Sequence, residues 1–174
     1  NNLDLSSKMI AAQPTDKFTV RLHYRNLRKL GDIHVRLNNF ESAISAYRQA
    51  LELGPQINES DVVGLYNGLG NAYLESKRLN EAEQNYRIAL QLHEQLPSPT
   101  KTQRSSLLTN LGNLYEAQER YDLALKCIQE ALDIREGEGQ QLLEIARNKR
   151  QKASIYLKLH RYNEVLKLVD EALP

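Results

Sequence analysis

The chain has 174 residues and a formal net charge of +1, from 23 lysines and arginines against 22 aspartates and glutamates. So balanced a charge provides no overall field that would favour nucleic acid or a membrane surface, and no apolar run approaches the ~20 residues needed to span a bilayer. The single cysteine, Cys127, excludes an internal disulfide and favours a reducing, cytoplasmic setting.

Taken in order, the chain divides into pairs of helical segments. Residues 1–14 are interpreted as the second helix of an incomplete upstream unit. In the first complete unit, 15–55, Thr15-Asp16 can cap a helix that we expect to run to about Leu37. Gly54-Pro55 would end its partner helix, because glycine tolerates the left-handed cap and proline cannot continue the helix.

The second unit, residues 56–97, has three glycines within one predicted helix, although each glycine costs ~1 kcal/mol relative to alanine there. Close packing explains Gly70. Gly64 and Gly68 are not explained by packing, and we interpret them as signs of a weak helix. The alternative is that they allow the backbone of a ligand to approach closely. Asn80 is predicted to cap the second helix of this unit.

Two further units complete the chain. The third, residues 98–137, is predicted to begin with Ser98 as N-cap and Pro99 as the first helical residue. The fourth, residues 138–174, follows the glycine-rich boundary at Gly137 and Gly139.

Residues 107–132 carry a pattern of small and large side chains at helical spacing, which lets two helices approach closely while the large side chains fill the gaps. The pattern recurs around Gly31, Gly70 and, in degraded form, Ala153, so that successive copies from Gly31 through Gly112 to Ala153 are 39, 42 and 41 residues apart. In the third unit, its positions are Leu108, Leu111, Gly112, Tyr115, Tyr121, Ala124, Ile128 and Ala131.

This order of Leu-Gly, tyrosine, alanine, aromatic residue and alanine resembles the tetratricopeptide repeat, although the period exceeds the usual ~34 residues. The NLGNLY run is similar to the long-helix repeats of kinesin light chains and Leu-Gly-Asn-type G-protein signalling modulators. The resemblance implies an all-α fold, a right-handed α-solenoid of helical hairpins. It also implies a scaffold that binds a peptide or protein partner in the concave groove formed by the first helices.

The resemblance also assigns the inward-facing positions, which hold asparagines in the middle and cations at both ends. Asparagine competes for backbone hydrogen bonds inside a helix, so its repeated use favours a functional reason. Its amide offers donors and an acceptor to the backbone of an extended peptide. The alternative is that these asparagines bond only to neighbouring helices. The predicted peptide-binding residues are Arg28, Asn67, Asn71, Asn110, Asn113, Arg147, Arg150 and Lys158.

The cations at the two ends differ in their surroundings. Arg28 lies four residues before Asp32, which could simply neutralise it. Arg147, Arg150 and Lys158 have no carboxylate interleaved on their helix face. They are therefore the better candidates for an acidic side chain or C-terminal carboxylate of a partner. The carboxylate clamp of chaperone-binding repeats is only partly matched.

No catalytic constellation is present in the sequence. His93-Glu94 begins like a zincin helix, but Pro97 stands where the second histidine should be. We therefore expect a non-enzymatic protein without cofactor or metal, and without nucleic-acid or membrane partners. The competing hypothesis is a structural or regulatory segment of a larger signalling protein that docks on a neighbouring domain or self-associates, because the last helix pair remains apolar on one side.

Overall fold

The computed structural model describes residues 16–53, 58–137 and 142–170. The upstream helix predicted within residues 1–14 lies outside these ranges, as do the Gly54-Pro55 terminator and Gly139. The described residues form eight α-helices and no strands. The helices are α1 (Lys17–Arg36), α2 (Phe40–Glu52), α3 (Glu59–Glu75), α4 (Leu79–Glu94), α5 (Lys101–Ala117), α6 (Tyr121–Gly137), α7 (Leu142–Lys158) and α8 (Tyr162–Asp170).

The helices pair into four hairpins, α1 with α2, α3 with α4, α5 with α6 and α7 with α8, and the second helix of each hairpin also packs on the first helix of the next. In addition, α1 contacts α3 and α3 contacts α5, so the first helices form one side of the molecule. The core is a continuous layer that runs through successive hairpins. The predicted all-α solenoid is confirmed.

The turn inside each hairpin contains one residue with a left-handed backbone. In the second hairpin this residue is Lys77, and the following N–H of Arg78 returns to the carbonyl of Tyr73 at 2.9 Å, which closes the end of α3. The four left-handed residues are 39, 42 and 41 positions apart, the same intervals as the repeated sequence pattern. They are Asn38, Lys77, Glu119 and His160, with φ angles of 59°, 64°, 59° and 56°.

The helix caps confirm one prediction and correct two. Asp16 caps α1, with its carboxylate accepting the backbone N–H of Phe18 at 3.0 Å. The predicted Ser98 cap of α5 is wrong, because Thr100 lies directly before the helix and accepts the N–H of Gln103 instead. The predicted Asn80 cap is also wrong. The left-handed turn is so short that α4 already begins at Leu79.

Two glycines of α3 have different surroundings. A β-carbon on Gly68 would lie 2.9 Å from the ring of Tyr47, so this glycine lets the second hairpin pack on the first. The same ring would lie 2.5 Å from a β-carbon on Gly31. The weak-helix interpretation of Gly68 is therefore wrong, since packing requires the glycine. Gly64 has more room, because its nearest neighbour would be the Arg28 side chain at 3.7 Å.

Candidate functional site

Asparagine side chains link the first helices of successive hairpins. Asn110 of α5 donates its amide N–H to Oδ1 of Asn67 in α3 at 2.8 Å. Asn113, one turn further along α5, accepts from the amide of Gln151 in α7 at 2.5 Å. Because these bonds cross from hairpin to hairpin, they orient the asparagine side chains along the surface that the first helices share.

Asn71 is held differently, from within its own hairpin. Its Oδ1 accepts the hydroxyl proton of Tyr86 at 2.6 Å. The oxygens of Asn67, Asn71 and Asn113 are thus all occupied, whereas their Nδ2 donors make no hydrogen bond to described residues. The same asparagine side chains therefore bond to neighbouring helices through their oxygens and keep their N–H donors available for a ligand.

A groove of about 600 Å³ separates α5 from α7. It brings together four of the eight residues that the sequence predicts to bind a peptide, namely Asn110, Asn113, Arg147 and Arg150. Asn67 adjoins it through its bond to Asn110. Arg28, Asn71 and Lys158 do not line it. The groove is lined by Thr109, Asn110, Asn113, Glu116, Glu144, Arg147, Asn148, Arg150, Gln151 and Ser154.

The expectation that no carboxylate is interleaved on the helix face of the α7 cations is wrong for Arg147. Glu144, three residues before Arg147, accepts from its guanidinium at 2.6 Å. Lys158 donates to Glu116 of α5 at 2.7 Å, a pairing that raises the pKa of the lysine. Arg150 is exposed and forms no ion pair with described residues. The first carboxylate was close in sequence, whereas the second comes from another hairpin.

Arg28 also has an unexpected environment. Its guanidinium donates a long hydrogen bond of 3.5 Å to the hydroxyl of Tyr24, while Asp32 accepts from Tyr47 at 2.7 Å. Arg28 therefore forms no ion pair with Asp32 within 4.0 Å, and the expected neutralisation does not take place by direct contact.

A buried polar cluster in the wall of the groove was not predicted from the sequence. Arg135 is 2% exposed and donates to the hydroxyl of Thr109 at 2.9 Å, while the amide of Asn148 donates to the same oxygen at 3.2 Å. Burial lowers the pKa of Arg135, and the nearby Glu144 opposes that shift. Helical spacing could have indicated that Arg135 is buried, because it lies two turns after the buried residue Ile128 on the same helix face.

The described residues offer neither a membrane-spanning helix nor a metal-binding cluster. Across residues 16–53, 58–137 and 142–170, no helix combines the length and apolar character that crossing a bilayer requires. The described part of the chain also holds no group of three or more His, Cys, Asp or Glu side chains placed to bind a metal ion.

Stacked helical hairpins with a polar groove between their first helices define a repeat scaffold for protein interactions. Two family models described as tetratricopeptide repeat match residues 24–57 and 61–137. The chain belongs to the tetratricopeptide repeat family and is of the long-repeat type.

Solved structures share this fold. BtubC (BKLC) from P. vanneervenii is 22% identical, with a TM-score of 0.79 over 93% of this chain and 65% of that one. The apo form of RapI is 14% identical, with a TM-score of 0.80 over 95% of this chain and 58% of that one. The present chain thus spans less than two thirds of either protein. No curated protein matches it.

Proposed function

We propose that the chain is a non-enzymatic, cytoplasmic scaffold that binds an extended peptide segment of a partner protein along its first helices. The observation that carries the proposal is the state of the asparagines. Asn67, Asn71 and Asn113 each have their oxygen fixed by a neighbour, which leaves their Nδ2 donors without described partners. Side chains fixed in this way lose little conformational freedom when they bind a ligand.

The side-chain amides of these asparagines are suited to hydrogen bonding with a peptide backbone. Amide donors can satisfy peptide carbonyls, and the unused Oδ1 of Asn110 can accept a peptide N–H. Such contacts are independent of side-chain identity, so they hold the backbone of the ligand and leave selectivity to other groups. The groove between α5 and α7 supplies Arg147 and Arg150 for that purpose, which favours an acidic partner.

The test is selection of peptides from a displayed random library on the purified chain, followed by fluorescence anisotropy with the selected sequences. The double variant Asn110→Ala and Asn113→Ala should weaken binding by about thirtyfold, because it removes two groove amides each worth about 1 kcal/mol. The control is Asn163→Ala, which alters an exposed asparagine on α8. Equal affinities for wild type and double variant, with unchanged circular dichroism, would overturn the proposal.

The structure also carries an observation for the second hypothesis, docking or self-association. Three exposed apolar side chains, Tyr162, Leu166 and Val169, recur at helical spacing along α8. A stripe of this kind can cover another helix. Self-association is tested by comparing the molar mass from light scattering in dilute and in concentrated samples. A mass that doubles in wild type and not in Leu166→Glu would favour it, whereas a constant monomer mass would exclude it for the isolated chain.

A further inference from the structure

Charge around the groove between α5 and α7 is unbalanced. Among the described side chains that line the groove or bond to its walls, cations outnumber carboxylates by two. The cations are Arg135, Arg147, Arg150 and Lys158, and the carboxylates are Glu116 and Glu144.

The two carboxylates are used to different extents. Both oxygens of Glu116 are engaged, one by Lys158 at 2.7 Å and the other by the Gln151 amide at 3.0 Å. Glu144 makes one described contact, its 2.6 Å ion pair with Arg147 in the first turn of α7. This pair joins residues three positions apart on an exposed helix face, and such pairs contribute only about 0.5 kcal/mol. Glu144 is therefore the carboxylate that a competitor could replace.

The buried Arg135 adds a positive charge beneath the groove. Among the described residues, no carboxylate lies within 4.0 Å of its guanidinium and none forms a hydrogen bond with its Nε atom. A cation removed from water is costly unless a negative charge lies near it. The charge of Glu144 opposes the lowering of the Arg135 pKa, so this carboxylate supplies part of that compensation.

Arg147 and Arg150 are three residues apart, so they project from neighbouring turns of the same face of α7. Arg147 is occupied by Glu144, while Arg150 has no ion-pair partner among the described residues. An oxyanion placed between the two arginines would meet both guanidinium groups and approach the unused Nδ2 donor of Asn113 across the groove.

We infer that this groove is a carboxylate-binding subsite and that Glu144 is its built-in competitor, which a carboxylate of the partner peptide displaces from Arg147. The inference rests on the proposed function. It specifies one group of the ligand, either an acidic side chain or a C-terminal carboxylate. It also assigns Glu144 a regulatory effect, because the same residue that neutralises Arg147 in the free protein weakens binding of an acidic ligand.

The test uses three alanine-rich nonapeptides as probes, titrated into the isotope-labelled chain and followed by NMR. One probe has a central glutamate with both ends blocked, one has a free C-terminal carboxylate and no acidic side chain, and one is neutral with a central glutamine and blocked ends. Weak binding with a Kd of about 1 mM is measurable in this way. At least one carboxylate probe should bind about fivefold more tightly than the neutral probe. Comparison of the two carboxylate probes identifies the source of the carboxylate.

Variants make the inference specific. Glu144→Gln should tighten binding of the carboxylate probe by about twofold and leave the neutral probe unchanged, because it frees Arg147. Arg150→Gln should abolish the difference between probes. The matched control is Asp122→Asn, which removes a negative charge at an exposed position on α6.

The outcomes separate this inference from the proposed function. If all three probes shift groove resonances with equal affinity, peptide binding stands and the carboxylate subsite is wrong. If Glu144→Gln weakens carboxylate binding or leaves it unchanged while the folded spectrum is retained, the competitor role is wrong. If no probe shifts any groove resonance, both proposals fall.

Discussion

The hydroxyl of Tyr86 donates a 2.6 Å hydrogen bond to Oδ1 of Asn71, which connects the buried side of the second hairpin to the surface that the first helices share. The same ring occupies the space beside Gly70, where a β-carbon would come within 2.4 Å of it. The first hairpin repeats the arrangement with Tyr47 and Asp32 at 2.7 Å. One tyrosine thus serves both helix packing and the orientation of a surface polar group.

Removal of that hydroxyl tests its contribution to stability. Tyr86→Phe keeps the buried ring and leaves Asn71 without its donor, so the free energy of unfolding should fall by about 1 kcal/mol. Urea denaturation measures the change. The control is Tyr162→Phe, which alters a 56% exposed ring and should change stability by less than about 0.5 kcal/mol. Equal losses in both variants would contradict the assignment.

The same residue predicts a dependence on alkaline pH. Burial, followed by the charge of Glu75, raises the pKa of Tyr86 above its ordinary value of 10.0. The unfolded chain therefore loses this proton near pH 10 while the folded chain retains it. As pH rises above 10, the free energy of unfolding should fall by up to about 1.4 kcal/mol per pH unit from this residue.

Denaturation between pH 9 and 11 checks this dependence, with Tyr86→Phe as the comparison. The variant should decline less steeply with pH than the wild type, because it has no phenol to ionise at this position. Parallel declines would show that Tyr86 does not contribute.

Two glycines of α3 provide a matched pair. Gly68→Ala should lower the free energy of unfolding by about 1–3 kcal/mol, because the new methyl group would lie 2.9 Å from Tyr47. Gly64→Ala should raise stability by up to about 1 kcal/mol, because it improves helix propensity and meets only Arg28 at 3.7 Å. Thermal denaturation of both variants distinguishes them. Opposite signs are expected, and a shared sign would contradict the packing interpretation.

The left-handed turn at Lys77 costs energy that glycine would avoid. Lys77→Gly should stabilise the chain by about 0.5–1 kcal/mol. A residue with a β-carbon is strained at a backbone φ of 64°, whereas glycine is not. Asn38→Gly is the internal comparison and should give a smaller gain, because asparagine tolerates this conformation better. Lys126→Gly, on the exposed face of α6, should instead destabilise. A loss of stability in Lys77→Gly would refute the prediction.

Cys127 should react slowly in the folded chain. Burial raises the pKa of its thiol to about 11, so only about one thiol in a thousand is ionised at pH 8. Alkylation by iodoacetamide, followed by mass spectrometry, should proceed far more slowly in buffer than in urea. Similar rates in the two conditions would show that the thiol is accessible in the native state.

Part of the candidate site followed from the resemblance to the tetratricopeptide repeat, which assigns the inward-facing positions. The inward positions counted from the repeated glycines included Asn110, Asn113, Arg147 and Arg150, and the structure places all four at one groove. Arg135 was missed because a cation in the last turn of a helix is ordinarily assigned to solvent and the helix dipole. Its position two turns after Ile128 indicated the buried face.

The sequence by itself determined the hairpins and their register, because the contacts that build a hairpin join residues close along the chain. The intervals of the small residues and of the left-handed turns are therefore the same. Only the tertiary structure decided the partners of the polar groups, such as Asn67 with Asn110 and Lys158 with Glu116. These pairs are 43 and 42 residues apart, and their contact depends on how each hairpin is rotated against the next. That rotation arises from the combined packing of many side chains, which no local pattern specifies.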